Sequence, residues 1–363
     1  MNLDKFFYKK KILITGHTGF KGSWLLHWLS RYDVKIMGIG LDPNHKLNLF
    51  KFLDKKKLID KRFDITDYTI LKKTLSKFKP DLIYHLAAQS LVKKSIINPI
   101  ETLKTNIIGT ANILNCINQL NNKTTTVIIT SDKCYQNLNL LRGYNENDRL
   151  GGHDPYSASK ASAEIVFQSY FKSILSKNKK IRIATARAGN VIGGGDWSSD
   201  RLVPDCVKAW AKNNTVRIRN PNSTRPWQHV LEPLSGYILL SYHLHKNKNL
   251  NGESFNFGPK LNEVATVKKI LQLSNKYWKK AKFKIYKEIF FKEDYLLKLN
   301  SSKAFKVLKW KKILNLDKTL ELTMLWYNRF YQNKSNIKEL LDRDINYYVK
   351  LSRNIFNGKF KKN

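Results

Sequence analysis

Residues 9–42 read "KKKILITGHTGFKGSWLLHWLSRYDVKIMGIGLD": an apolar run of strand length, a turn with three glycines, a helix-length stretch and a second apolar run. This order constrains the fold more than any other feature. A short apolar run between turn residues reads as a strand buried on both faces, and such a strand needs a helical layer on each side. The order then repeats. "DYTILKKTLSKF" (67–78) is helical and "DLIYHLAA" (81–88) is a strand. "NPIETLKTNIIGTANILNCINQL" (98–120) is a long helix before the strand "TTTVIIT" (124–130), and "DPYSASKASAEIVFQSYFKSI" (154–174) is a helix before the strand "IRIATARAGNVIG" (181–193). Strands alternating with helices at this spacing specify an α/β chain with a doubly wound parallel sheet. Past about Gly193 the alternation breaks up into Gly, Asp, Trp and Pro, as in a smaller unit. "HVLEPLSGYILLSYHLH" and "ESFNFG" then read as a helix and a strand returning to the sheet.

The turn in "TGHTGFKG" places Gly16, Gly19 and Gly22 between a strand and a helix. Glycines there let the backbone turn tightly and approach a pyrophosphate, while the helix N-terminus offers free N–H groups and partial positive charge. The fold class is therefore a Rossmann-type sheet with a smaller C-terminal substrate-binding domain. The expected division is 1–190 plus about 230–258 for the dinucleotide, and about 191–229 plus 259–363 for the substrate. Asp42 ends the second strand about 20 residues past the last glycine, where an acid binds ribose hydroxyls and repels a 2′-phosphate, favouring NAD over NADP; Lys46 lies nearby. Asp64, in "RFDITD", is read either as an adenine contact or as a helix cap. Ala87 and Ala88, in "HLAAQ", are small enough to let a cofactor pass over the sheet edge.

Tyr156 and Lys160 share one helix face. An ammonium beside a phenol lowers the phenol pKa, making Tyr156 a base for a hydroxyl whose carbon loses hydride. Ser131, after the strand 124–130, is placed to hold that hydroxyl. The same strand ends in "TSDKCY", so Asp132 and Lys133 stand side by side at the sheet mouth.

Composition narrows the function further. The chain has 363 residues, 42% of them hydrophobic, and no run long enough to cross a bilayer. Its beginning carries no apolar stretch of signal-peptide length, so the expectation is a soluble, cytoplasmic protein. Cys116, Cys134 and Cys206 are widely spaced and odd in number, and the histidines form no ligand motif, so neither disulfides nor a metal are expected. The net charge of +38 comes largely from lysines scattered along the chain. It reads as compositional, with no specific nucleic-acid partner and no membrane partner.

These motifs together resemble the extended short-chain dehydrogenase/reductase superfamily. Within its NAD-dependent epimerase/dehydratase family, "TGHTGFKGSWL", "TSDKCY", "GYNENDRLGGHDPYSASKA", "RAGNVIGGGDW", "DRLVPD" and "RPWQHVLEPLSGY" are similar to the CDP-glucose 4,6-dehydratases. The similarity continues through "LNSSKA", where Asn300 stands in place of an expected aspartate, and ends near Gln332. The expected cofactor set is Gly16, His17, Thr18, Gly19, Phe20, Gly22, Asp42, Asp64, Ile65, Leu86, Ala87, Ala88, Asn106, Tyr156 and Lys160. The expected substrate set is Gln89, Ser131, Asn190, Arg201, Arg219, Arg225 and His229; His229 reads more readily as a packed residue, and Trp197 and Trp227 as core rather than as base-stacking residues.

The resemblance implies three steps on CDP-glucose with a recycled NAD. Tyr156 takes the 4-hydroxyl proton as hydride leaves C4; water is lost across C5 and C6; hydride returns to C6. Asp132 matches the family position of the acid that protonates the departing hydroxyl. Lys133 stands where dTDP- and GDP-sugar dehydratases carry a glutamate base, and is read either as a base or as a cation stabilising the enolate. A UDP-sugar 4-epimerase would share the glycines, Tyr156 and Lys160 but would not need Asp132. A non-catalytic NAD- or nucleic-acid-binding protein would not need the Tyr/Lys pair. The resemblance also implies a homodimer, or a tetramer, packed through the helices that start near Pro99 and Tyr156.

Overall fold

The computed structural model describes residues 2–43, 46–218, 220–279, 281–285 and 297–352. Seven strands form one parallel sheet: β1 (Lys10–Thr15), β2 (Val34–Gly40), β3 (Leu58–Arg62), β4 (Leu82–His85), β5 (Thr124–Ile129), β6 (Ile181–Ala188) and β7 (Ser254–Phe257). Their order is β3-β2-β1-β4-β5-β6-β7. The order reverses between β1 and β4, where a crevice opens beyond the carboxyl ends of the strands.

Successive residues of a strand point to opposite faces, and each face of this sheet has its own apolar layer. Ile12, Ile14, Ile36, Tyr84 and Val127 lie with Trp24, Leu25 and Trp28 of the Phe20–Leu29 helix and with Leu234 and Ile238 of the Leu231–Lys246 helix. On the other face Leu13, Ile39, Ile83, Ile128 and Ile183 lie with Leu71, Leu75, Ile113, Ile117 and Phe167. That division explains why the strands read as continuous apolar runs.

The helix expected over 98–120 is interrupted. Helical turns at Pro99–Leu103 and Gly109–Asn118 flank a π turn at Lys104–Ile108. Such a turn swells the helix by one residue and is frequent at functional sites. Asn106 sits in it.

Beyond β6 the chain forms short paired segments. Val191–Ile192 pairs with Gln228–His229, Thr224–Arg225 with Ala265–Thr266, and Val216–Ile218 with Phe283–Ile285. The Leu231–Lys246 helix and β7 return to the sheet, with Phe255 beside Ala186 of β6.

The Ile337–Leu351 helix, grouped on sequence with the smaller unit, lies against the first layer instead. His27 is 2.9 Å from Asp342, Tyr348 stacks edge-on to Trp28, and the Tyr348 hydroxyl donates to Glu232 at 2.8 Å. Leu340, Leu341, Ile345 and Tyr348 are fully buried on that face. Their spacing is an ordinary amphipathic stripe, which does not say which layer it will cover. Trp197 and Trp227 are core residues.

Candidate active site

The glycine turn is shaped by contact. Gly16 has φ +73°, a left-handed conformation, and a Cβ there would come within 2.7 Å of the Ala87 nitrogen. A Cβ on Gly22 would come within 2.1 Å of the Gly16 carbonyl oxygen. Both positions hold a bare backbone cradle open at the first turn of the Phe20–Leu29 helix, whose leading N–H groups have no acceptor inside the helix. These residues fit a dinucleotide pyrophosphate. Thr18 donates to the Leu41 carbonyl and Ser23 to the His17 carbonyl, closing the turn onto β2. Phe20, among the expected cofactor residues, opens the helix and is partly buried.

His17 is fully buried, and its Nε2 is 2.9 Å from Asp60. Burial pushes its imidazole pKa down, against its hydrogen bond to Asp60. Asp42, 83% exposed at the ribose corner, is 3.6 Å from the Arg62 guanidinium. Arg62 also pairs with Asp60 at 2.8 Å and donates to the Leu41 carbonyl. The sequence reading expected Lys46 as the nearby cation; the structure adds Arg62.

Asp64 accepts from the Thr66 N–H, while Asp67 takes the cap of the following helix through Ile70. Asp64 is therefore not that helix cap. Ile65 is buried under Gly109, where a Cβ would meet it at 2.4 Å. Leu86 and Ala87 follow β4, their N–H groups held by the Thr15 carbonyl and hydroxyl, and Ala88 is half-buried beside them.

The catalytic candidates converge where β5 ends. Ser131 caps a short 3₁₀ turn (Asp132–Cys134), and its hydroxyl donates to Asp132 at 2.9 Å. Asp132 is buried, and burial raises its carboxyl pKa, opposed by Lys133, by the Ser131 hydrogen bond and by Lys21. A Cβ on Gly189, beyond β6, would lie 2.9 Å from the Asp132 Oδ2 atom, so glycine keeps the space that carboxylate occupies. Tyr156 opens the Pro155–Ser173 helix, and Ser131 acts on its phenol. One turn on, burial pushes Lys160 down to about 8, against the charge of Glu164. The phenol of Tyr156 moves opposite to the expected direction: burial pushes it up to about 12, outweighing the Ser131 hydrogen bond and the charge of Arg201.

Lys21 was missed on sequence, although it lies inside the quoted glycine motif. Burial pushes its ammonium down to about 8, Arg201 and Lys160 act in the same sense, and Asp132 opposes them. Its charge is thus felt by Asp132, Lys160 and Arg201. Lys133 lines the mouth of a small cavity with Tyr135, His153, Asp154 and Ser157.

Several expected substrate contacts are corrected. Gln89 spends its amide on the protein: Nε2 donates to Leu91 and Thr102, and Oε1 accepts from the Leu91 N–H at 2.6 Å. It shapes the loop after β4. Asn106 holds that loop, accepting from the Gln89 N–H and donating to the Gln89 carbonyl and to Ser159. His229 is fully buried with Trp24 edge-on to its ring, and burial pushes its imidazole down to about 3. It is a packed core residue.

Asn190 is exposed one residue past Gly189, at the cleft rim. Arg201 donates to Asp196 at 3.1 Å and acts electrostatically on both Tyr156 and Lys21, so it faces the site. Arg225 donates to the Thr224 carbonyl at 2.8 Å. Arg219 lies outside the described residues. Among the described residues no group of three His, Cys, Asp or Glu side chains could hold a metal, and no helix is long and apolar enough to cross a membrane.

A phosphate cradle at the switch point, with Ser131, Tyr156 and Lys160 at the end of β5, defines a dinucleotide-dependent dehydrogenase/reductase site. Comparison with known proteins narrows the class. Residues 13–323 match the family described as GDP-mannose 4,6 dehydratase, and the chain belongs to that family. It is 40% identical to CDP-glucose 4,6-dehydratase of Salmonella typhimurium over 92% of this chain and 94% of that protein. It is 24% identical to UDP-glucose 4-epimerase of Mycoplasma genitalium over 69% of this chain and 76% of that one. Among solved structures, a Bacillus anthracis dTDP-glucose 4,6-dehydratase in complex with NAD superposes with a TM-score of 0.74 at 22% identity, covering 88% of this chain and 97% of that one. An epimerase of Methanothermobacter thermautotrophicus gives 0.79 at 20% identity, covering 93% and 96%.

Proposed function

We propose that this protein is an NAD-dependent lyase that converts CDP-D-glucose to CDP-4-dehydro-6-deoxy-D-glucose and water. The observation that carries the reading is a buried acid, Asp132, hydrogen-bonded to Ser131 in the short turn that packs against the Tyr156 helix. An epimerase needs only the base; loss of the 6-hydroxyl needs a proton donor as well. The CDP moiety rests on the 40% identity to the Salmonella enzyme over nearly the whole of both chains.

Held by the cradle around Gly16, Gly19 and Gly22, NAD would supply hydride-accepting and hydride-donating chemistry and a positive ring that favours the Tyr156 phenolate. Ser131 holds the 4-hydroxyl and Tyr156 takes its proton. Asp132, whose protonated form burial favours, gives a proton to the departing 6-hydroxyl. Lys133, at the pocket mouth, stabilises the enolate oxygen at C4 as the C5 proton passes to solvent, and C5 regains a proton when hydride reaches C6. Arg201 and Arg225 bind the diphosphate, since a guanidinium can hold two phosphate oxygens at once. Lys21 joins them as a third cation.

The exposed residues Ile96, Ile97, Ile100, Ile108 and Ile165 lie on the helices around Pro99 and Tyr156. Apolar exposure of this kind supports the homodimer through those helices. The three cysteines are free and buried, which supports a reducing, cytoplasmic setting. The functional reading is tested by incubating the purified protein with CDP-, dTDP-, GDP- and UDP-sugars and following the 4-keto product. CDP-glucose should be turned over fastest; preference for another nucleotide would overturn the assignment of substrate.

A further inference from the structure

Behind the catalytic residues lies a buried polar cluster that the reaction above does not use. Glu164 stands one helical turn past Lys160 and is fully buried. Its Oε1 accepts from the Thr130 hydroxyl at 2.5 Å. Its Oε2 accepts from Arg187 at 2.7 Å, from Thr185 at 3.0 Å and from Ser254 at 3.4 Å. Arg187, also fully buried, continues to the Tyr135 hydroxyl at 2.7 Å and the Glu146 carbonyl at 3.0 Å. One carboxylate thus joins the Pro155–Ser173 helix to the end of β5, the middle of β6 and the start of β7. Burying an ion pair gives little net stability, because desolvation offsets the attraction. A pair at this depth therefore calls for another reason.

Thr130 precedes Ser131 and Asp132, and Tyr156 and Lys160 lie on the same helix as Glu164. We propose that Glu164, held by Arg187, is a positioning residue for the 4,6-dehydratase reaction. It pins the strand end carrying Ser131 and Asp132 in register with the helix carrying Tyr156 and Lys160, and it supplies the negative charge that keeps Lys160 an ammonium. The inference rests on the reaction assigned above.

The charge survives where it sits. Burial alone would raise the Glu164 carboxyl; Arg187, with hydrogen bonds from Arg187, Thr130 and Thr185, more than offsets this and leaves it below the usual range. Glu164 in turn opposes the burial that lowers Lys160. Pin and charge can be separated. Thr130→Val keeps the charge and removes the pin. Glu164→Gln with Arg187→Met removes both charges together and avoids an orphaned guanidinium, so that the fold is retained.

The test is a lysine side-chain nitrogen NMR titration of the full protein, with the Lys160 signal assigned by its loss in Lys160→Arg, alongside pH profiles of kcat. In the Glu164→Gln/Arg187→Met variant the Lys160 midpoint should move about one pH unit or more to lower pH, and the alkaline limb of kcat should follow. Thr130→Val should leave that midpoint in place and reduce kcat about tenfold or more with little change in KM. A folded double variant with an unmoved Lys160 midpoint would overturn the charge role, and near-normal kcat in Thr130→Val would overturn the pin. The titration needs no turnover, so inactivity of the wild-type protein toward CDP-glucose would refute the assigned reaction without removing this reading of Lys160.

Discussion

The two walls of the cleft are built differently. The cofactor wall is local: Gly16 to Gly22, Asp42 and Ala87 follow β1, β2 and β4, three neighbouring strands at the switch point, and each works through backbone shape or a single exposed group. The substrate wall is assembled from a distance. Asp132 at the end of β5 needs Gly189 beyond β6 to make room, Lys21 comes from the phosphate helix, and Arg201 arrives from a loop anchored on Asp196. Backbone requirements leave a readable motif. Side chains that meet only in three dimensions do not.

The sharpest way to break that contrast is to fill the cradle. Gly22→Ala should abolish NAD binding, since its Cβ would sit 2.1 Å from the rigid Gly16 carbonyl. Cofactor fluorescence and melting temperature would report it. Asp132→Asn, on the assembled wall, should leave NAD binding intact and slow water loss by ~10² to 10⁴-fold. A 6-fluoro substrate, which expels fluoride with less need of a proton, should lose less; equal losses would remove the acid role.

Lys133 gives a smaller, signed comparison. Lys133→Ala should impair elimination, and Lys133→Glu should be worse than alanine if a positive charge is what the position supplies. Recovery by glutamate would make Lys133 a base instead.

The smallest effect concerns the last helix. Glu232, buried beneath it, accepts from Tyr348 and from the Ile313 and Leu314 N–H groups, yet burial raises its carboxyl to about 7. A raised folded-state pKa means stability that is present at low pH and lost as pH rises through about 7. Glu232→Gln cannot titrate. Its stability relative to wild type should therefore improve by up to roughly 3 kcal/mol between pH 5 and pH 8 in paired denaturation curves.

The same contrast explains what was legible in the sequence. The parallel, doubly wound sheet and the glycine turn follow from periodicity and motif spacing, as do the expectations for Asp42, Ser131, Tyr156 and Lys160. Asp132 and Lys133 were visible because they adjoin a strand end. Gln89 was read as a substrate contact, and His229 as a contact or, preferably, core, because residue type and position on a cleft-forming segment do not reveal which way a side chain turns. Gln89 closes on Leu91 and Thr102, and His229 turns under Trp24. Lys21 carried a signal that went unread: a lysine in the first turn of a phosphate-binding helix adds charge where anions dock. Glu164 looked like an ordinary helix residue, four positions past Lys160, and only the convergence of β5, β6 and β7 gives it partners.

The central claim is that one site removes hydride from C4, expels the 6-hydroxyl with the help of Asp132, and delivers the same hydride to C6. The most direct measurement uses CDP-glucose carrying deuterium at C4, with NMR and mass analysis of the product. The account predicts a 4-keto-6-deoxy sugar whose C6 methyl carries the deuterium. Deuterium retained at C4 of an inverted sugar that keeps its 6-hydroxyl would make the protein an epimerase and contradict the account.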